Sequence, residues 1–274
     1  MTSQEIKGLD GWVAFLSKVD IPVLKQTARD LSALHEDADN ISARGVAEVI
    51  TRDPMMTVKL LRYLQGHKHK KQEHEVVQVE QALLMLGVEA FFSKLPPKPL
   101  AEELLSSNTS ALISLLHVVR RAQRASDYAR EWAVNLRDMH FEEVHIAALL
   151  HDFAELLMWC FAPDDMLKIN ALQQQDKTLR SRVAQEQVLG FTLVELQLAL
   201  AKKWSLPNLL ITLMDGASAR QTRVRNVVLA VNLSRHSAKG WQDAALPDDY
   251  KEIGELLKLK PEEVMEMVGA KAGN

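Results

Sequence analysis

The stretch AALLHDFAELL, residues 147–157, carries a histidine and an aspartate between two apolar runs. Charged side chains are rarely buried without a partner, so His151 and Asp152 need either a ligand or polar neighbours. Two interpretations are open. The pair can help to hold a metal ion, or it can be a polar remnant in which Asp152 accepts hydrogen bonds from an imidazole or from backbone N–H groups.

The metal hypothesis needs further ligands, because a divalent cation takes several nitrogen or oxygen donors from different helices. His117 is the candidate third ligand, on an apolar-striped helical segment that ends near Trp132. Adjacent residues of one helix project about 100° apart, so His151 and Asp152 could both face a cleft only if it were broad. A water on such a metal would be activated for phosphoester hydrolysis.

The rest of the chain has helical periodicity nearly throughout. Apolar residues recur at steps of three and four in two clear stripes, Leu112, Leu115, Leu116, Val119, Ala122 and Ala125, and then Leu193, Leu196, Leu200 and Trp204. Asp53 before Pro54 is a typical N-cap and first-turn pair, and Pro247 and Pro261 indicate later helix starts. Alternating strand patterns are absent. We therefore predict an all-α protein of about ten or more helices, since a mean helix has about 11–12 residues.

Two stretches interrupt the helical pattern. Residues 66–74, GHKHKKQEH, are polar and predict a solvated loop, although His67, His69 and His74 with the lysines could also bind a transition metal or a phosphate. Residues 94–99, KLPPKP, cannot continue a helix because proline lacks the amide hydrogen and clashes with the preceding turn. This second stretch is either a break within one domain or a linker between two domains.

Composition narrows the class of protein. Hydrophobic residues make up 47% and charged residues 25% of the 274 positions, which is typical of a globular protein. The net charge of -3 and the 5% aromatic content give no case for nucleic acid or for an anionic membrane. The single cysteine, Cys160, excludes an internal disulfide and is typical of a reducing cytoplasm. We see no signal peptide and no apolar run approaching the ~20 residues that span a bilayer.

Six short pieces of the sequence, taken in order, resemble the HDOD domain, an HD-related output domain of bacterial signalling proteins. They are IPVL at 21–24, VITRDP at 49–54 running into TVKLLR at 57–62, VEQALLMLG at 79–87, LLHD at 149–152, EQVLG at 186–190 and KWSLP at 203–207. The resemblance implies an all-α, HD-domain-like helical bundle with an N-terminal helical lobe.

The resemblance also implies a domain organisation. Residues 1–20 form an N-terminal extension and residues 21–215 the HDOD-like domain. The N-terminal helical lobe covers about 21–100, the HD-like bundle about 101–240, and residues 241–274 form a C-terminal helical appendage.

The chain departs from the metal-dependent members of the HD superfamily at the expected ligands. Their late acidic ligand is matched here by the amide of Asn232, and their tandem histidine falls near Met214 and Asp215. Methionine cannot ligate a hard cation and a neutral amide binds one weakly. The resemblance thus implies a vestigial HD cleft of His117, His151, Asp152 and Asn232, with no metal and no cofactor.

The function implied by the resemblance is a non-catalytic regulatory module of a bacterial cytoplasm that contacts an unknown signalling protein. We expect its input to come from a separate partner or a bound ligand. Two alternatives stay open. One is a metal-dependent phosphohydrolase on nucleotides, in which Asn232 or Asp215 completes the site.

The other alternative is a sensor that binds a small nucleotide second messenger without cleaving it. Arg120 and Arg124 share a helix face and could clamp a phosphate in such a sensor. The competing interpretation of these arginines is surface solvation, with ion pairs to Asp127 and Glu131.

Overall fold

The computed structural model describes residues 6–37, 41–67, 76–215 and 221–270. Within these ranges the chain is helical, and its only sheet-like pairing is an isolated parallel bridge between Val23 and Leu100. The prediction of an all-α fold is therefore confirmed. The chain forms two compact units, a first unit of Met1–Val119 and Asp152–Pro207 and a second unit of Arg120–His151 and Asn208–Asn274.

The first unit contains most of the helices. They are α1 (Gly8–Leu16), α2 (Lys25–Glu36), α3 (Ala43–Ile50), α4 (Pro54–Gly66), α5 (Val79–Leu86), α6 (Val88–Lys94), α7 (Ala101–Leu104), the part of α8 (Thr109–Asn135) up to Val119, α10 (Phe153–Phe161), α11 (Pro163–Gln175), α12 (Ser181–Leu189) and α13 (Leu193–Lys203). The proline-rich residues 96–99 lie inside this unit, between α6 and α7.

Helix α10 is a largely buried element of the first unit. It packs against α4, α11 and α13. Its buried side chains are Phe153, Ala154, Leu156, Leu157, Met158, Trp159 and Cys160. Burial raises the pKa of the Cys160 thiol, which is therefore a core residue rather than a nucleophile.

The second unit begins with the remainder of α8. It continues with α9 (Phe141–Leu149), α14 (Asn208–Met214), α15 (Thr222–His236), a 3-10 turn (Ser237–Lys239), α16 (Leu246–Leu257) and α17 (Pro261–Met267). Helix α9 packs against α14 and α15, α15 packs against α16, and α16 packs against α17. The core of this unit is thus built around an apolar helix, as it is in the first unit.

The helix starts predicted from local sequence signals are confirmed. The carboxylate of Asp53 accepts hydrogen bonds from the amides of Met55 (2.9 Å) and Met56 (3.2 Å), and Pro54 is in the first turn of α4. Proline also lies in the first turn of α16 and of α17. These starts could be predicted because capping depends on residues within four positions of each other.

One stretch of the described residues, Phe141–Phe161, is long and apolar enough to cross a membrane by length and composition alone. It consists of α9, a turn and α10. About four fifths of its most apolar part is buried inside the protein. Its hydrophobicity is therefore that of two core helices. No apolar run of this length was recognised in the sequence, because the turn between α9 and α10 carries polar residues.

Candidate functional site

The His151–Asp152 pair lies in a turn, not in a helix. Helix α9 ends at Leu149 and α10 begins at Phe153. The His151 amide donates to the carbonyl of Ala148 (3.3 Å), which closes the end of α9. Because residues 150–152 form a turn, the helical 100° offset expected between the two side chains does not apply.

The two residues of the pair have different environments. His151 is half-buried and is the last residue of the second unit before the chain returns to the first. Asp152 is 9% exposed and precedes α10, although its side chain does not cap that helix. Its carbonyl accepts from the amide of Leu156 (3.3 Å).

The remaining members of the expected HD cleft are placed as follows. His117 is an exposed residue of α8, and Asn232 is half-buried on α15. Asp215 is half-buried just after α14, where its amide donates to Ile211 (3.0 Å). His117 belongs to the first unit together with Asp152, whereas Asn232 and Asp215 belong to the second unit.

These donors do not fit a divalent cation. In the part of the chain that the structure describes, no three or more His, Cys, Asp and Glu side chains form a group that could hold a metal ion. A hard cation needs more than two donors converging on one point. The amide of Asn232 adds a weak neutral donor in place of a carboxylate.

The two arginines expected to contact a phosphate differ in their surroundings. Arg120 is exposed on α8. The guanidinium of Arg124 lies 5.9 Å from the ring of Tyr128 and 5.7 Å from that of Trp241, and it donates to the Tyr128 hydroxyl (3.2 Å). Arg124 therefore has cation–π and hydrogen-bond partners within the second unit. These partners, Tyr128 and Trp241, are not the Asp127 and Glu131 that were proposed from the sequence for ion pairs.

A buried carboxylate in the first unit connects two segments distant in sequence. Asp53 is fully buried and, besides capping α4, accepts from the amide of Leu24 (2.9 Å). Burial raises the pKa of this carboxyl, and the three amide bonds oppose the rise. The capping role could be predicted from sequence, but the bond to Leu24 spans 29 residues and could not.

Lys59 is a second buried charge of the first unit, and it was not singled out in the sequence. It is 3% exposed and donates to the carboxylate of Asp20 (2.8 Å) and to the carbonyls of Ile21 (3.3 Å) and Lys98. Burial lowers the pKa of this ammonium group and the Asp20 carboxylate opposes the decrease. The signal that could have identified Lys59 is its charge within the apolar run of α4.

A cavity of about 480 Å³ opens beside Lys59 in the first unit. Its lining comes from α4, from the C-terminal ends of α6 and α13, and from the segment that follows α1. The residues are Ser17, Asp20, Lys59, Arg62, Tyr63, Gln65, Gly66, His67, Lys94, Leu95, Pro96, Lys203, Trp204 and Ser205. We refer to it as the α4–α13 cavity.

Trp204 forms one wall of the α4–α13 cavity. Its ring stacks on Phe153 at a centroid distance of 5.5 Å, and its Nε1–H donates to the hydroxyl of Ser17 (3.2 Å). The guanidinium of Arg62 lies 5.3 Å from the Trp204 ring. The KWSLP motif therefore contributes to a shaped cavity, which could not be deduced from the motif alone.

His67 is the described member of the histidine-rich stretch. Its ring stacks on Tyr63 at 4.0 Å and its Nδ1 lies 2.8 Å from the Tyr63 carbonyl oxygen. His69 and His74 lie outside the described residues. Of the residues that could bind a phosphate in this stretch, the described residue His67 lines the α4–α13 cavity.

Comparison with known proteins agrees with the sequence resemblance. The family model of the HDOD domain matches residues 21–219. No curated protein matches the sequence.

Among solved structures, a virulence factor from Campylobacter jejuni is similar with a TM-score of 0.69 and 18% identity, covering 96% of this chain and 92% of that one. The MmoQ response regulator from Methylococcus capsulatus is similar with a TM-score of 0.65 and 15% identity, covering 91% of this chain and 98% of that one. At these identities the two structures support the fold.

Proposed function

Because the chain belongs to the HDOD domain family, we propose that it is a non-catalytic regulatory module that contacts a signalling protein in the bacterial cytoplasm. The supporting observation is the set of donors that the resemblance assigns to an HD cleft, His117, His151, Asp152 and Asn232. It lacks a carboxylate at Asn232, and no group of three His, Cys, Asp or Glu side chains suited to a metal occurs within the described residues.

The donor set matters because phosphoester hydrolysis of the HD type depends on a metal-activated water. His117 is exposed and Asn232 is a neutral amide, so two of the four positions expected of an HD cleft are poorly suited to a hard cation. A polar turn that serves the fold explains the same residues without a metal. Regulation through contacts is then the role that the HDOD resemblance implies.

The first experiment measures metal content and hydrolysis together. The full chain is produced with manganese and iron supplied, alongside His151→Ala and the control His140→Ala. His140 is an exposed histidine of the same unit. We expect equally low, substoichiometric metal in all three proteins, and no metal-dependent turnover of phosphomonoesters or phosphodiesters. Near-stoichiometric metal and turnover that are lost only in His151→Ala would establish the phosphohydrolase instead.

The second experiment addresses the partner. The tagged full chain is crosslinked in the cells that produce it, and each captured protein is purified and mixed with the full chain in analytical ultracentrifugation. We expect a direct complex with a protein that carries a signalling domain. Failure of every captured protein to bind directly contradicts the proposed contact function.

A further inference from the structure

The α4–α13 cavity has an excess of positive charge. Lys59 and Asp20 form an ion pair (2.8 Å) and neutralise each other. The other charged residues of the lining are Arg62, Lys94 and Lys203, and all three are cations. The whole chain has a net charge of -3, so this local excess is opposite in sign to the protein. Cavities lined by one sign of charge concentrate ions of the other sign.

Arg62 is the most buried of the three cations. Its Nη1 donates to the carbonyl of Val19 (3.0 Å) and, at 3.5 Å, to that of Leu16. Partial burial lowers the pKa of the guanidinium, with Asp20 opposing the decrease. Within the described part of the chain Arg62 forms no ion pair at 4.0 Å or less, and its Nε and Nη2 are not used in the carbonyl bonds. Carbonyls and the Trp204 ring thus orient the group while leaving donors for an anion.

The two lysines among these three cations are each the last residue of a helix. Lys94 is the last residue of α6 and Lys203 is the last residue of α13, and both are exposed. A cation at a helix C-terminus is favoured by the helix dipole, which explains each lysine separately. The dipole does not explain Arg62, which precedes the last turn of α4, nor why all three cations line one cavity.

The size and the walls of the cavity define the ligand further. A volume of about 480 Å³ is larger than an inorganic phosphate and lies in the ~300–1,000 Å³ range of small-molecule sites. Accessible apolar or aromatic surface is supplied by Tyr63 and Pro96, while Leu95 and Trp204 are buried behind the lining. The α4–α13 cavity therefore offers both anion-binding groups and a surface for an organic moiety.

We propose that the α4–α13 cavity binds a phosphorylated small molecule, with its phosphate groups at Arg62, Lys94 and Lys203 and its organic part against Tyr63 and Pro96. This site goes beyond the proposed contact function, because all of its residues belong to the first unit and none belongs to the expected HD cleft. It also differs from the nucleotide site expected at Arg120 and Arg124.

Isothermal titration calorimetry of the full chain tests the site, with pyrophosphate, adenosine diphosphate and adenosine as probes at constant ionic strength. The variant is Lys94→Gln with Lys203→Gln, which leaves the supporting contacts of Arg62 intact. The matched control is Lys18→Gln with Lys202→Gln, two exposed lysines that do not line the cavity but change the net charge equally. Both variants are checked for unchanged thermal unfolding.

We expect pyrophosphate and adenosine diphosphate to bind with dissociation constants below about 1 mM, and adenosine to bind at least about tenfold more weakly. The cavity variant should weaken binding of both phosphorylated probes by at least about tenfold, and the control by less than about twofold. Absence of binding to the unaltered chain, or equal weakening in the two variants, overturns the proposal. These results do not depend on a protein partner or on metal, so they are separable from the tests of the regulatory function.

Discussion

Two charged residues in the core of the first unit have all of their hydrogen-bonding groups near partners. The carboxylate of Asp53 accepts hydrogen bonds from three backbone amides, and the ammonium group of Lys59 donates to one carboxylate and two carbonyls. A buried charge is tolerated when its hydrogen bonds are made and is costly when they are not. The hydrogen bonds of both side chains therefore hold α4 against the segments around residues 20–24 and 98, and we refer to the two residues as connectors.

Replacing the carboxylate tests this role directly. Asp53→Ala leaves the amides of Leu24, Met55 and Met56 without their acceptor in the core. We expect the free energy of unfolding in urea to fall by about 2–4 kcal/mol. The matched control is Ser42→Ala, which removes the exposed N-cap of α3, and we expect it to lose only about 0.5–1 kcal/mol. Equal losses in the two variants would mean that the buried bond to Leu24 adds nothing.

A second residue-level prediction concerns Asp138 in the second unit. Its two oxygens accept from Nε (2.6 Å) and Nη2 (2.8 Å) of Arg223, and one of them also accepts from the His140 amide (2.9 Å). Burial alone would raise the pKa of Asp138, but the Arg223 and His140 bonds outweigh it and hold the pKa below its ordinary value. A carboxyl with a lowered folded-state pKa stabilises the protein above its unfolded-state pKa.

Asp138→Asn should therefore lower the unfolding free energy at pH 7 by about 1 kcal/mol, a modest value because solvent screens the partly exposed Arg223. The difference from the unaltered chain should shrink as the pH falls from about 4, where the unfolded-state carboxyl begins to protonate, through the lower pKa of the folded state. Urea unfolding at several pH values measures it. Asp127→Asn, an exposed position on α8, is the control, and a pH-independent loss in Asp138→Asn would contradict the linkage argument.

The α16–α17 pair depends on a close approach between a helix and the chain that leaves it. Lys258, directly after the last residue of α16, is in the left-handed region (φ 61°), and the chain then folds back so that the Leu259 amide donates to the Gly254 carbonyl (2.9 Å). A Cβ on Gly254 would lie 2.6 Å from the Leu259 carbonyl oxygen. Glycine at this position is thus a packing requirement rather than a flexible point.

Gly254→Ala should destabilise the second unit even though alanine is the better helix former. The gain in helix propensity is about 1 kcal/mol, and we expect the backbone clash to exceed it for a net loss of about 1–2 kcal/mol. Thermal unfolding gives the comparison with Gly66→Ala in α4, where a Cβ meets no atom of the described residues within 4 Å. The Gly66 variant should be neutral or slightly stabilised, so equal behaviour of the two variants would refute the steric argument.

In the whole molecule, neither unit is a continuous piece of chain. The first unit is completed only after the chain has passed through α9, and the second only after it has returned at Asn208. Helix α9 buries Val144, Ile146, Ala147, Ala148 and Leu149, and its packing partners α14 and α15 follow more than 50 residues later. Folding of the second unit therefore requires the C-terminal helices.

A chain that stops after Pro207 should lose the second unit. Without α14–α17 the apolar side of α9 has no cover, so we expect aggregation or binding of a hydrophobic dye in place of cooperative unfolding. A chain that stops after Lys260 lacks only α17 and should keep a cooperative transition at a lower temperature, because the buried Val264 and Val268 are lost. A soluble, dye-negative and cooperatively folded chain ending at Pro207 would disprove this dependence.

The helical class, the start of α4 at Pro54 and the starts of α16 and α17 were all predictable from the sequence. Apolar spacing and capping residues act over a few positions, so they can be recognised without knowing the fold. The HDOD membership was also predictable, because its six pieces keep their order along the chain. The turn at His151 was not predicted, because the apolar residues on both sides of it are compatible with one continuous helix.

The α4–α13 cavity and the connectors Asp53 and Lys59 depend on long-range contacts. Lys59 meets Lys98, 39 residues away, and Trp204 meets Ser17, 187 residues away. Local propensity carries no information on such pairs, because each exists only after helices distant in sequence have packed together. The amino-acid order thus specified which segments are helical and where they begin. The packing of these helices specified which charged side chains are buried and hydrogen-bonded, as Asp53 and Lys59 are, and which line the α4–α13 cavity.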